Sequence, residues 1–163
     1  MFPAFKNQKL IYGYQKIFIN PALMNFFPKE VFSKYNYPIQ IDGLKKILFC
    51  KRSNRIIRFE HKLWNALQIV QSQPALFSIC GVRWHNHNII IVDIDIFGKL
   101  IGSMKPQSAL CNSGGYFATH GFEECTNLVP DIGKYLAYKH TNGKFTLNST
   151  EDDINQAKWV KSS

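Results

Sequence analysis

The stretch Val82-Arg83-Trp84-His85-Asn86-His87-Asn88-Ile89-Ile90-Ile91-Val92-Asp93 decides the fold. Four consecutive β-branched residues after a polar Asn/His cluster predict a small two-stranded hairpin. Upstream, from Arg58 to about Gln73, Phe59, Leu63, Ala66, Leu67 and Val70 recur at +4, +7, +8 and +11, the spacing of one helical face. Pro74 ends that helix, and Ala75 to Cys80 form a second short turn closed by Gly81. Downstream, Asp93 is a suitable N-cap for a helix reaching about Ile101, with Gly102 as its stop.

Further outward, Ser103 to Pro106 form a turn, and Pro106 suits the first position of a third helix expected to run unbroken to about His120. Leu110, Gly114, Phe117 and Gly121 share one face of that helix. Ser108, Asn112, Gly115 and Thr119 share the other, with Tyr116 at its edge. Gly114-Gly115 weaken it by about 1 kcal/mol each relative to Ala. A strand from Glu123 to Val129, a turn at Pro130-Asp131-Ile132-Gly133 and a return strand from Lys134 to His140 follow, with Asn142-Gly143 as a further turn. The end of the chain from Ser149 is acidic, then mixed, and is expected to fray. Helix, short strand, helix, turn, helix and hairpin is the order of an α+β winged helix, which lays its third helix in a major groove. The expected division is an N-terminal extension over 1–54, a winged-helix domain over 55–150 and a tail over 151–163.

The 163 residues carry 45% hydrophobic and 14% aromatic side chains, enough for one real core, and only 19% charged residues, which argues against an extended disordered chain. The net charge of +9 is unevenly spread. Residues 1–62 hold twelve Lys/Arg against three acids, whereas 63–163 hold eight of each. The densest run is Lys51-Arg52-Ser53-Asn54-Arg55-Ile56-Ile57-Arg58, a natural boundary and a candidate arm for a polyanion. Pro3, Pro21, Pro28 and Pro38 cut residues 1–50 into short helices and extended pieces lying against the main body. No apolar run approaches eighteen residues, and the first residues lack a signal-peptide pattern. Cys50, Cys80, Cys111 and Cys125 have no Cys-x-x-Cys spacing, so free thiols in a reducing compartment, cytosol or nucleus, are expected.

Arg58-Phe59-x-x-Lys62-Leu63, Gln73-Pro74, Cys80-Gly81-Val82-Arg83-Trp84, Phe97 with Leu100-Ile101-Gly102, Gly121-Phe122-Glu123 and Phe145-Thr146-Leu147-Asn148-Ser149 follow one another in an order that resembles the initiator-binding domain of the trichomonad core-promoter factor. The similarity covers about 55–150 and is looser over 25–54. It implies a winged helix that recognises an initiator element in double-stranded promoter DNA, and hence a nuclear protein. Phe59-x-x-Lys62-Leu63-Trp64, Trp84, Asp93-x-x-x-Phe97 and Tyr116 with Gly121-Phe122 are more distantly similar to heat-shock-factor DNA-binding domains, without the recognition helix of those factors. No Arg lies between Lys105 and Lys134, a departure from the initiator-binding pattern.

On that fold, Ser108, Asn112, Ser113 and Tyr116 are the candidate base-reading residues, since Asn can pair bidentately with adenine and Ser bonds base edges or phosphate. Arg52, Arg55, Lys105, Lys134 and Lys144 are the candidate phosphate contacts, which set register. His85 and His87 lack a third ligand, and His120 near Cys111 and Cys125 is no better, so neither a metal nor a cofactor is expected. There is no Gly-rich phosphate loop or nucleophile elbow, and Asp93 and Asp95 read as a helix cap and its neighbour, so catalysis is not expected. The rival reading is a winged-helix scaffold that binds proteins of the transcription machinery; RNA binding is a third.

Overall fold

Prolines interrupt the first third of the chain, so only short elements form there. The computed structural model describes residues 17–157, and the expectations for 1–16 and 158–163 lie outside it. β1 (Phe18–Ile19) pairs antiparallel with β2 (Ile39–Gln40), and α1 (Lys29–Phe32) lies between them. α2 (Ile41–Leu44) follows and widens into a π turn over Lys45–Phe49. These pieces form one wall of the core. Ile19, Phe26, Phe27, Phe32, Ile41, Leu44, Leu48 and Phe49 are buried in one cluster with α3 (Phe59–Ser72). Asn65 of α3, fully buried, bonds the backbone of Phe27, and the Phe27 ring stacks on Trp64 at 5.2 Å.

α3 matches the helix expected from its 3.6-residue spacing, and Pro74 opens a 3-10 turn over Pro74–Leu76. α4 (Phe77–Cys80) ends at Gly81, whose φ of +74° is left-handed. A Cβ there would fall 2.5 Å from the Phe97 nitrogen, so only glycine fits. β3 (Val82–Trp84) and β4 (Ile89–Val92) form the expected hairpin. Its polar tip is an Asx turn, with Asn86 Oδ1 accepting from the Asn88 and Ile89 nitrogens. Asp93 caps α5 (Ile94–Leu100) by accepting from the Ile96 nitrogen at 3.2 Å, a contact of about 1 kcal/mol.

The expected third helix is instead a π turn over Gln107–Cys111 and, after a break, α6 (Tyr116–Thr119). β5 (Phe122–Glu124) and β6 (Leu136–His140) complete a four-stranded antiparallel sheet in the order β3-β4-β6-β5. The first of these strands is shorter than expected. After Cys125, which still donates to the Ala137 carbonyl, the Thr126 hydroxyl takes the Ala137 N–H and the chain turns into a 3-10 segment over Thr126–Leu128. β4 explains its unbroken β-branched run by being buried on both faces. Ile90 and Val92 join the helix-side core, whereas Ile89 and Ile91 meet Cys125, Val129 and Ala137 on the other side.

The acidic end does not fray at Ser149. Thr150 and Asp153 bond reciprocally as a capping box and start α7 (Glu151–Gln156). Ile154 and Ala157 bury against the core, and Glu151 accepts from the Lys29 nitrogen at 3.0 Å. The described structure is thus α+β, with the 17–50 wall, the helices and α7 around one core.

Candidate nucleic-acid interface

Two glycines shape the segment between α5 and the second hairpin. Gly98 lies directly under Pro106: a Cβ would be 2.6 Å from the proline ring, so the turn at 103–106 is clamped to α5. Gly115 lies 2.8 Å, by the same measure, from the Leu110 carbonyl. That close approach folds α6 back over the π turn. Asn112 (ψ 162°) and Gly115 (ψ 174°) are extended, which is where the expected helix breaks. Consequently Ser108 lies on the π turn, Asn112 and Ser113 lie in the break, and Tyr116 opens α6. They do not share one helical face, yet all four are exposed.

α6 has a single turn and no intrinsic stability, so its seat decides its position. That seat is Phe59-Glu60, the first two residues of α3. The Phe59 ring stacks on Tyr116 at 5.3 Å and meets Phe117 edge-on at 5.2 Å, contacts of about 0.5–1.5 kcal/mol each beyond their buried area. Glu60 is fully buried, with Oε1 2.7 Å from His120 Nδ1 and Oε2 3.6 Å from Arg58 Nε. Burial alone would raise the Glu60 pKa, but the bond to His120 and the charges of His120 and Arg58 outweigh it and hold the carboxyl below its ordinary range. Arg58 Nη2 continues to the Asn155 carbonyl at 3.3 Å, and His140 Nε2 donates to the His120 carbonyl at 3.0 Å.

The basic run 51–56 is an exposed loop with internal order. Asn54 Oδ1 accepts from the Ile56 and Ile57 nitrogens, and the Asn54 nitrogen donates to the Ile57 carbonyl. From α3, the buried Lys62 ammonium donates to the Lys51 carbonyl; burial pushes its pKa down. At the start of the loop the Cys50 thiol donates to the Leu100 carbonyl and packs against Gly102. Arg52 and Arg55 follow Cys50 in this exposed loop, and Lys105 follows the C-terminal end of α5 in the chain. Lys134 is at the other end of α5, 4.0 Å from the capping Asp93, and Lys144 is exposed in the turn after β6.

Glu60, His120, Phe59 and Lys62 were not among the expected site residues. Spacing placed Phe59 in the core stripe but carried no sign that Glu60, on the same turn, points inward. Among the described residues no group of three His, Cys, Asp or Glu side chains could hold a metal ion, and no helix is long and apolar enough to cross a membrane.

A core wall, helices and a four-stranded sheet around an exposed polar segment beside a basic loop define a class of α+β protein able to meet a polyanion. Residues 35–150 match the transcription-initiator DNA-binding domain (IBD) family, and the chain belongs to that family. Among solved structures it is similar to the crystal structure of the T. vaginalis IBP39 initiator-binding domain bound to the α-SCS Inr element, at 21% identity and a TM-score of 0.48, over 80% of this chain and 98% of that one. No curated protein matches the chain.

Proposed function

We propose that the chain is a winged-helix nuclear protein that reads an initiator-like core-promoter element in duplex DNA. Membership of the transcription-initiator DNA-binding family over residues 35–150 is the observation that carries this reading. The base-reading residues lie within 55–150, and the preceding segment both completes the core and adds charge. Ser108, Asn112, Ser113 and Tyr116 meet base edges, Asn112 as the amide suited to adenine. Arg52, Arg55 and Lys105 grip phosphate on one side, and Lys134 and Lys144 grip it from the second hairpin. The polar segment 107–120 holds no Lys or Arg, so affinity comes from its basic surroundings and discrimination from neutral side chains.

Fluorescence anisotropy with promoter-fragment duplexes, scrambled duplexes and single strands tests this. With about four to six phosphate contacts, log K against log salt should fall with a slope of roughly −4 to −5. A slope near zero, or equal affinity for promoter and scrambled duplex, overturns the reading.

A further inference from the structure

We propose that Glu60 is a positioning residue for DNA reading, acting through His120 to hold the Tyr116–Thr119 turn at its working angle; this rests on the DNA-binding reading above. Glu60 has no exposed surface, yet its carboxylate ends 2.7 Å from the residue that closes α6. A one-turn helix takes its orientation from its contacts. From α3 it has Tyr116 on Phe59, Phe117 on Phe59, and His120 on Glu60. The first two are ring contacts, which tolerate sliding and rotation. The third brings a buried carboxylate within 2.7 Å of the His120 ring nitrogen and, with the Phe59 ring 5.2 Å from the same imidazole, holds the C-terminal end of the turn from the α3 side.

The carboxylate is itself fixed. Arg58 Nε stands 3.6 Å from its second oxygen, and the same guanidinium reaches the Asn155 carbonyl in α7. From the sheet side, His140 Nε2 donates to the His120 carbonyl, while His140 Nδ1 accepts from the Asn142 nitrogen at 3.3 Å. Glu60 and His140 thus grip His120 by ring and backbone from opposite sides. Asn112, Ser113 and Tyr116 sit just ahead of this clamp, so a shift of α6 carries the exposed Tyr116 and the break before it with it.

The test uses the full chain with Glu60→Ala, Glu60→Gln and His120→Ala, a duplex enriched by the wild-type protein from a random pool, and its scrambled counterpart. Gln keeps the shape and can place an amide oxygen where the carboxylate faces His120 Nδ1. The ratio of affinities for the two duplexes should fall about tenfold in Glu60→Ala, the scale of discrimination one bidentate base contact carries. Glu60→Gln should restore the wild-type ratio, and a protected His120 Nδ1–H resonance should be present in wild type and Gln and lost in Ala. His120→Ala, altered at a half-buried side chain, should reproduce the loss and decides the matter if Glu60→Ala does not fold. A merely structural Glu60 would weaken both duplexes by one factor and leave their ratio unchanged, which overturns the proposal; so does an unchanged ratio in His120→Ala. Failure of the wild-type protein to enrich any duplex overturns the DNA reading itself, independently of the variants.

Discussion

The Asn65 carboxamide brackets the Phe27 peptide, accepting from its N–H and donating to its carbonyl, both at 2.9 Å. This pair joins the N-terminal wall to α3 inside the core. Asn65→Leu keeps the volume but leaves two buried backbone groups unpaired, each costing about 1–3 kcal/mol. The melting midpoint should drop by several degrees or more, measured by circular dichroism. Removing residues 1–54 strips Phe26, Phe27, Phe32, Leu44, Leu48 and Phe49 from the core and should leave a chain without a cooperative transition.

Adjacent glycines should behave oppositely. Gly115→Ala puts a methyl against the Leu110 carbonyl and should cost about 1–3 kcal/mol as overpacking. Gly114 has open space around its Cβ position, so Gly114→Ala should change stability by less than about 1 kcal/mol. Parallel urea melts of the two variants check this.

Acid should destabilise the fold in two stages. Burial lowers the pKa of His61, whose Nδ1 accepts from the Arg58 nitrogen, so its contribution is complete above the ordinary value of 6.5 and declines as pH falls through the folded value. Glu60, also lowered, contributes fully above 4.5 and is lost as pH falls through its own folded value. Melting midpoints measured from pH 8 downwards should therefore begin to fall below about 6.5 and steepen below about 4.5. Glu60→Gln should weaken the second stage, leaving the smaller share of Asp153, whose carboxyl the Thr150 hydrogen bonds also hold low.

The loop beside α5 should act on all duplexes alike. Arg52→Ala, Arg55→Ala and Lys105→Ala should each weaken enriched and scrambled DNA equally and flatten the salt slope by about one unit. Lys62→Met, which removes the bond to the Lys51 carbonyl, should weaken both duplexes with less effect on slope, because no phosphate contact is deleted. Anisotropy titrations at several salt concentrations separate the two outcomes.

Asn112→Ala should do the reverse. It should retain scrambled-duplex affinity and lose about 1–3 kcal/mol of preference for the enriched duplex. Equal weakening of both, with the fold intact, would assign Asn112 to the backbone.

Local chemistry was legible and long-range packing was not. The Phe59-to-Val70 spacing, Pro74, Gly81 and the Asp93 cap each act within a few residues, and α3, α4 and α5 follow them. Thr150 and Asp153 carried an equally local signal, but the acidic composition around them read as a solvated end. The 17–50 wall has no periodicity because its pieces are two to five residues long; what makes them core is Asn65 and Trp64, nearly forty positions away. The break at Asn112–Gly115 depends on Gly115 meeting the Leu110 carbonyl, a contact that no spacing announces. Of the candidate residues, Lys134 is held beside the capping Asp93 at the start of α5, whereas Arg52 and Arg55 lie in the exposed loop that Cys50 anchors at the far end of that helix.

Between Ser103 and His120, only Leu110, Gly115 and Phe117 are buried. Of the exposed positions, Ser108, Asn112, Ser113 and Gly114 lie outside these contacts, and the stretch is pinned at its two ends by Gly98 under Pro106 and by Gly121 against His140. Such an arrangement lets mutation explore the exposed positions without endangering the scaffold. Two end anchors and the buried residues hold the stretch as a replaceable insert, so related chains can diverge in what they recognise while inheriting the same frame.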